Sequence, residues 1–245
     1  MAQARHVGKI VLTQDAPEGA RVAFGGRFPP DRVQLVTGGH GGLGLALARW
    51  MVERGARRIA LMGRRLPSTA ARAAIADLER TGATIDSLAG DVSRAEDVDR
   101  CLAPYRGSLG GVFHLAGVLD DGVIPEQSWS RFETVLAAKV TGARLLHEAT
   151  RREPLEHFVL FASLVGLVGS PGQSNHSAGS SFLDTLALYR RAQGLPATSI
   201  DWGPWSEVGA VVDLQLDARK FGRLEALLVR PDEGLRALEL ALAHG

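Results

Sequence analysis

Eight residues, Thr37-Gly38-Gly39-His40-Gly41-Gly42-Leu43-Gly44, stand between an apolar run and a helical pattern. The run RVQLVT (32–37) reads as a buried strand. Beyond the glycines, Leu43, Leu47, Trp50 and Met51 recur at helical spacing, with Arg49, Glu53 and Arg54 on the opposite face. Strand, glycine-rich turn and helix in that order open a dinucleotide-binding βαβ unit. The turn has to be tight, the backbone N–H groups have to reach a pyrophosphate, and the helix has to pack close to the strand. Two spacings satisfy this together: GxGxxG at Gly39, Gly41 and Gly44, and TGxxxGxG at Thr37, Gly38, Gly42 and Gly44. A glycine turn without a ligand is the plainer alternative. The strand before it and the helix after it favour the nucleotide.

The same alternation continues along the chain. Strands are expected at 57–63, 83–90, 110–117, 157–163 and 197–203. Helices are expected at 68–80 (Ser68 as N-cap), 94–103, 128–150, 175–193 and 232–243. Continuous apolar strands between helices mean a parallel sheet buried on both faces. The expected fold class is α/β, a Rossmann-like doubly wound parallel sheet of six strands with helices on both faces. The ends read differently. GKIVLT (8–13) looks like an isolated strand, followed by a Pro/Gly-rich linker at 17–30. Residues 204–225 alternate poorly and form a candidate lid. A fold of this kind often has a seventh strand, so the chain reads as a piece of something longer.

Composition removes several function classes. The 28 Lys+Arg and 27 Asp+Glu leave a net charge of +1, which argues against a nucleic-acid or membrane-surface binder. Cys101 is the only cysteine, so an intrachain disulfide and a cysteine metal cluster are out. The histidines show no HExxH or H-x₃-H spacing, and no metal is expected. No apolar run approaches the length of a membrane span and the start does not read as a signal peptide, so a cytoplasmic location is expected. There is no G-x-S-x-G elbow: Ser170 lies in Gly169-Ser170-Pro171-Gly172.

Cofactor choice is legible at the end of the second strand. An NAD site places Asp or Glu there for the ribose 2′-OH. This chain has Gly63-Arg64-Arg65, two guanidiniums suited to a 2′-phosphate. NADPH is therefore expected, although solvated surface arginines are common. Asp91-Val92 ends the third strand, where a carboxylate can meet the adenine amino group or cap the next helix. His114 reads as a core histidine bonded to backbone, and His40 as a bystander near the phosphates.

Several segments together resemble the ketoreductase domain of modular type I polyketide synthases, in the short-chain dehydrogenase/reductase family. They are ARHVGKIVLT, LVTGGHGGLGLALARW, MGRR, GDVS, FHLAGVLDDGVI, AAKVTGARLLH, FASLVGLVGSPGQSNHSAGSSFLDTLA and SIDWGPWSEVG, spanning residues 4 to 209. The resemblance implies NADPH-dependent reduction of a β-ketoacyl thioester on an acyl carrier protein, beside neighbouring synthase domains. It also implies that residues 1–30 return from an upstream structural subdomain, with the NADP-binding domain at 31–245. Ser163 matches the serine that holds the carbonyl and Lys139 the lysine of the proton relay. The family pattern GQxNYxxxN stands here as GQSNHSAGS: Gln173 is retained, His176 takes the Tyr position and Ser180 the Asn position. Tyr105 and Tyr189 are the only tyrosines, and Tyr189 lies thirteen residues too far along. Leu119-Asp120-Asp121 resembles the motif of the stereochemical class giving the D-configured alcohol; an ordinary acidic loop is the other reading.

His176 leaves two outcomes open. An imidazole donates a hydrogen bond and, when charged, a proton, with an ordinary pKa near 6.5. Beside Lys139 its cation is disfavoured by like charge. The chain is thus expected to be a reductase with an unusual acid, or else a reduction-incompetent structural domain or α-carbon epimerase that still binds NADPH.

Overall fold

The computed structural model describes residues 28–209 and 228–243. The expected strand at 8–13, most of the linker, and residues 210–225 of the candidate lid lie outside them. The six expected strands all form: β1 (Val33–Thr37), β2 (Arg58–Gly63), β3 (Thr84–Ala89), β4 (Leu109–His114), β5 (His157–Ser163) and β6 (Thr198–Trp202). They pair in parallel in the order β3-β2-β1-β4-β5-β6. The order reverses between β1 and β4, and a doubly wound sheet binds its ligand outside the strand ends at that point.

Alternate side chains of β1, β2, β4 and β5 enter two separate cores, which is why these inner strands read as apolar runs. On one face Leu35, Val112, Phe158 and Leu160 pack with Val98, Leu102, Leu146 and Leu183. Those partners come from α3 (Ala95–Leu102), α5 (Ala143–Thr150) and α7 (Ser174–Ala192). On the other face Val36, Leu61, Phe113 and Val159 meet Leu47, Met51, Ile75 and Leu238. These belong to α1 (Gly42–Glu53), α2 (Thr69–Glu79) and α8 (Pro231–Ala243). Each fully buried Leu, Val or Phe contributes roughly 1.5–3 kcal/mol of transfer free energy. Ser68 caps α2 as expected, its Oγ accepting from the Ala71 N–H at 3.2 Å.

One helix differs from its sequence reading. The expected single helix at 128–150 is α4 (Trp129–Leu136) and α5 joined by a π-helical stretch, Ala137–Gly142. A π-helical stretch inside a helix is characteristic of functional positions. Here it contains Lys139. A short helix, α6 (Val165–Val168), precedes α7 and follows directly on β5.

Candidate functional site

The glycine loop follows β1 at the switch point. Gly38 has φ +72°, and a Cβ there would lie 3.0 Å from the Ala116 amide nitrogen. A Cβ on Gly44 would lie 2.6 Å from the Gly39 Cα, so helix and loop touch backbone to backbone. Gly41 is different: it has an ordinary extended backbone (φ −81°), and a Cβ would meet only the Gly38 carbonyl at 3.5 Å. The first turn of α1 has no side-chain cap and no acidic residue. Its N–H groups therefore remain available to an anion. Gly42 faces Val208, at the start of the candidate lid.

At the end of β2, Arg64 and Arg65 are exposed, and their guanidiniums have no partner among the described residues. Asp91 Oδ1 accepts from both the Ser93 N–H (2.9 Å) and the Ser93 hydroxyl (2.7 Å). It closes a turn rather than capping α3, whose N-cap is Arg94. Val92 is buried against Gly142 of the π stretch. A nicotinamide dinucleotide fits this donor set: open backbone N–H groups for the pyrophosphate and free guanidiniums for the adenosine end.

Ser163 ends β5, and α7 runs past it. Lys139 is 5% exposed; its Nζ donates to the Phe161 carbonyl at 3.3 Å. Its stem crosses α7 at Gly179, where a Cβ would come within 2.9 Å of the lysine Cδ. Lys139 is thus a buried lysine and not a solvated one. Burial pulls Lys139 down to about 8, with Asp184 and Asp201 opposing the shift. His176 lies on α7 and is pushed down to about 3, first by burial and then by the Lys139 charge. It is a neutral imidazole at physiological pH. Its Nδ1 is buried without a partner among the described residues, as is the Oγ of fully buried Ser180.

The acidic loop is tied to α7. Gln173 Nε2 donates to Asp121 Oδ2 at 2.9 Å, and Asn175 Nδ2 donates to the Asp120 carbonyl at 2.8 Å. Arg131 pairs with Asp120 at 3.4 Å. Burial raises the Asp121 carboxyl, while the Gln173 hydrogen bond opposes it. Leu119 belongs to the same loop. The structure therefore brings Gln173 to Asp121 and the Lys139 charge to bear on His176, with the lysine stem against Gly179.

Sequence reasoning missed the polar pair behind this arrangement. His114 Nε2 donates to the Ala138 carbonyl (3.1 Å), and the Thr37 hydroxyl donates to His114 Nδ1 (2.7 Å). The pair joins the glycine-loop strand to the π stretch that carries Lys139. His114 did read as a core histidine bonded to backbone; the signal for more was its place at the end of β4, beside the switch point. Asn175 was missed as well, although it stands next to His176 in GQSNHSAGS. A surface cavity of about 550 Å³ is lined by residues such as Val98, Arg106 and Glu148 and by none of the site residues.

A family model described as a KR domain matches residues 33–207. The chain belongs to the KR domain family. One component of the phenolphthiocerol/phthiocerol polyketide synthase of Mycobacterium tuberculosis is 36% identical over 251 residues, covering 99% of this chain and 11% of that protein. The phthioceranic/hydroxyphthioceranic acid synthase of the same species is 38% identical over 259 residues, covering all of this chain and 12% of that protein. Among solved structures, A-type ketoreductases from a modular polyketide synthase superpose with a TM-score of 0.84 at 36% identity, over 95% of this chain and 49% of that chain. An A1-type ketoreductase matches with a TM-score of 0.84 at 35% identity, over 95% and 48%. The KR domain described here thus spans about half of those ketoreductases and about a tenth of the synthases. Its sheet is the Rossmann-like parallel sheet of that family, which reduces ketones with a nicotinamide cofactor.

Among the described residues of this KR domain, no helix is long and apolar enough to cross a membrane. No group of three or more His, Cys, Asp or Glu among them is placed to hold a metal ion.

Proposed function

We propose that this KR domain binds NADPH and reduces the β-carbonyl of an acyl chain carried as a thioester on an acyl carrier protein. The carrying observation is the buried Lys139 held beside His176 on α7, next to an uncapped glycine loop. Thr37, Gly38, Gly39, His40, Gly41, Gly42, Leu43 and Gly44 would cradle the pyrophosphate half. Arg64 and Arg65 would hold the 2′-phosphate, and Asp91 and Val92 would flank the adenine. NADPH, when bound, supplies the hydride. Ser163 and His176 then donate hydrogen bonds to the carbonyl oxygen as it becomes an alkoxide. A neutral imidazole polarises a carbonyl well without releasing a proton. The proton then comes from the Lys139 ammonium. Leu119, Asp120, Asp121 and Gln173 would direct the substrate to the D-configured alcohol.

The wider setting belongs to the same proposal. Residues 31–245 are the catalytic unit of this reading. Other synthase domains are its neighbours, in the cytoplasm.

A second reading has its own support. The same neutral His176, with its unpartnered Nδ1, suits a domain that keeps the cofactor but no longer reduces. Such a domain would be structural or an α-carbon epimerase. NADPH oxidation with a β-ketoacyl thioester, run beside His176→Phe, separates the readings. Turnover that collapses in the Phe variant is the expected result. NADPH binding without turnover would replace reduction with the second reading, and α-deuterium exchange would then detect epimerisation.

A further inference from the structure

β4 ends on His114, a buried side chain whose two ring nitrogens are both committed. Nε2 lies 3.1 Å from the Ala138 carbonyl oxygen; a carbonyl only accepts, so Nε2 carries the hydrogen. Nδ1 is then a lone pair, and it accepts from the Thr37 hydroxyl at 2.7 Å. The same hydroxyl accepts from the Ala116 N–H at 3.4 Å. One tautomer is thus fixed from both sides. Burial first, and then the Lys139 charge, lower His114 to about 4, so the ring stays neutral at physiological pH and the tautomer holds. Ala138 is the second residue of the π stretch and Lys139 the third. A donor from outside the helix competes with the backbone ladder for a carbonyl, one of the identifiable causes of an irregular turn. A π turn takes in one residue more than an α turn. An α-helix advances about 100° per residue, so closing the stretch to a regular helix would turn Lys139 by roughly that angle relative to α5. The seat it would leave is specific: Nζ donates to the Phe161 carbonyl, and the stem lies against Gly179. The titratable groups around that seat are His176 and Asp184 on α7, Asp201 on β6 and His114 itself on β4.

We infer that His114 is a positioning residue for the proton donor: its hydrogen bond to the Ala138 carbonyl keeps the π turn that seats Lys139 against β5. Through Thr37 the same ring ties that seat to β1, the strand that leads into the glycine loop. The inference deepens the reduction reading above and rests on it for the lysine's task, though not for the lysine's place.

The contrast between His114→Gln and His114→Asn tests this. Glutamine reaches as far as the imidazole Nε2 and keeps an N–H for Ala138. Asparagine reaches only as far as Nδ1 and keeps Thr37 alone. His114→Leu, which fills the site, is the second variant should His114→Asn lose its fold. The chain has only three lysines, Lys9, Lys139 and Lys220, so the ¹³Cε resonances of lysine-labelled protein follow each one through a pH titration, with neither cofactor nor substrate present. The Lys139 midpoint is expected at about 8 in the wild type and in His114→Gln. In His114→Asn it is expected to move toward the ordinary lysine value of about 10.4, as the side chain leaves its buried seat. NADPH oxidation with a β-ketoacyl thioester is expected to fall roughly tenfold or more in His114→Asn, and to stay close to wild type in His114→Gln. A core histidine without this task would leave the lysine midpoint where it is. A midpoint that stays at about 8 in folded His114→Asn or His114→Leu, or that moves equally in His114→Gln, overturns the inference. A wild type that reduces nothing overturns the reading of Lys139 as donor, while the lysine midpoints still decide what His114 holds in place.

Discussion

A tyrosine hydroxyl and an imidazole differ in more than reach. The phenol can give up its proton to an alkoxide, whereas a neutral imidazole is far too weak an acid to do so. Burial and Lys139 keep His176 neutral at every pH where the domain works. In the proposed reduction the proton is then the lysine's, held near 8 by burial. The charged form is the donor, so reduction is expected to fall as pH rises through about 8. A rate that stays level to pH 9.5 would remove Lys139 as the source. His176→Tyr, restoring the phenol on the same α7 position, is expected to raise turnover by on the order of 10²-fold or more, the usual worth of a placed general acid. Steady-state NADPH oxidation reads both effects.

Between strand and helix, the glycine loop separates two kinds of glycine. Gly44 is required by the fold, because its Cβ would collide with the Gly39 backbone at 2.6 Å. Gly41 is not required by the fold: its φ suits any residue and its surroundings are open. Gly44→Ala is expected to lower stability by roughly 1–3 kcal/mol, the cost of overpacking, and to weaken cofactor binding with it. Gly41→Ala is expected to leave the melting temperature within a degree or two and weaken NADP⁺ binding at least tenfold. Melting curves and dinucleotide titrations on both variants check this; equal damage to stability would deny Gly41 a role confined to the ligand. The loop shows what the sequence made legible. Spacing alone located the turn, the strands and the Ser68 cap, because periodicity and capping are local. The π stretch at Ala137–Gly142 was not legible, since a helical pattern with one residue too many still looks helical. Its cause is tertiary: the hydrogen bond from His114 to Ala138 and the seat of the Lys139 stem on Gly179.

Across the whole molecule, four of the described histidines tie stability to pH in the same direction. Burial holds His114, His147, His157 and His176 below the ordinary imidazole value. His114 is lowered to about 4. The unfolded chain binds protons near pH 6.5 that the folded one refuses, so stability is complete above 6.5 and drains away as pH falls toward 4. His114 alone accounts for roughly 3 kcal/mol of that loss. Urea midpoints from pH 7.5 to 4.5 are expected to drop steeply in the wild type and less so in His114→Gln. Parallel slopes would mean the loss arises elsewhere. At this scale the site residues were named by motif and His114 was read as buried, but the burial of Lys139 and Asn175 was not legible, because it depends on packing between distant elements. One last contact reaches beyond chemistry. Trp205 bridges to Val229, the Ser206 N–H bonds the Val229 carbonyl at 3.0 Å, and the Val229 N–H bonds the Pro204 carbonyl at 2.8 Å. The chain between is thereby moored at both of its roots, whatever its own course. Lengthening a loop closed in this way costs little, since closure entropy grows only logarithmically. Residues can therefore be added or removed between these two points at little cost to the sheet.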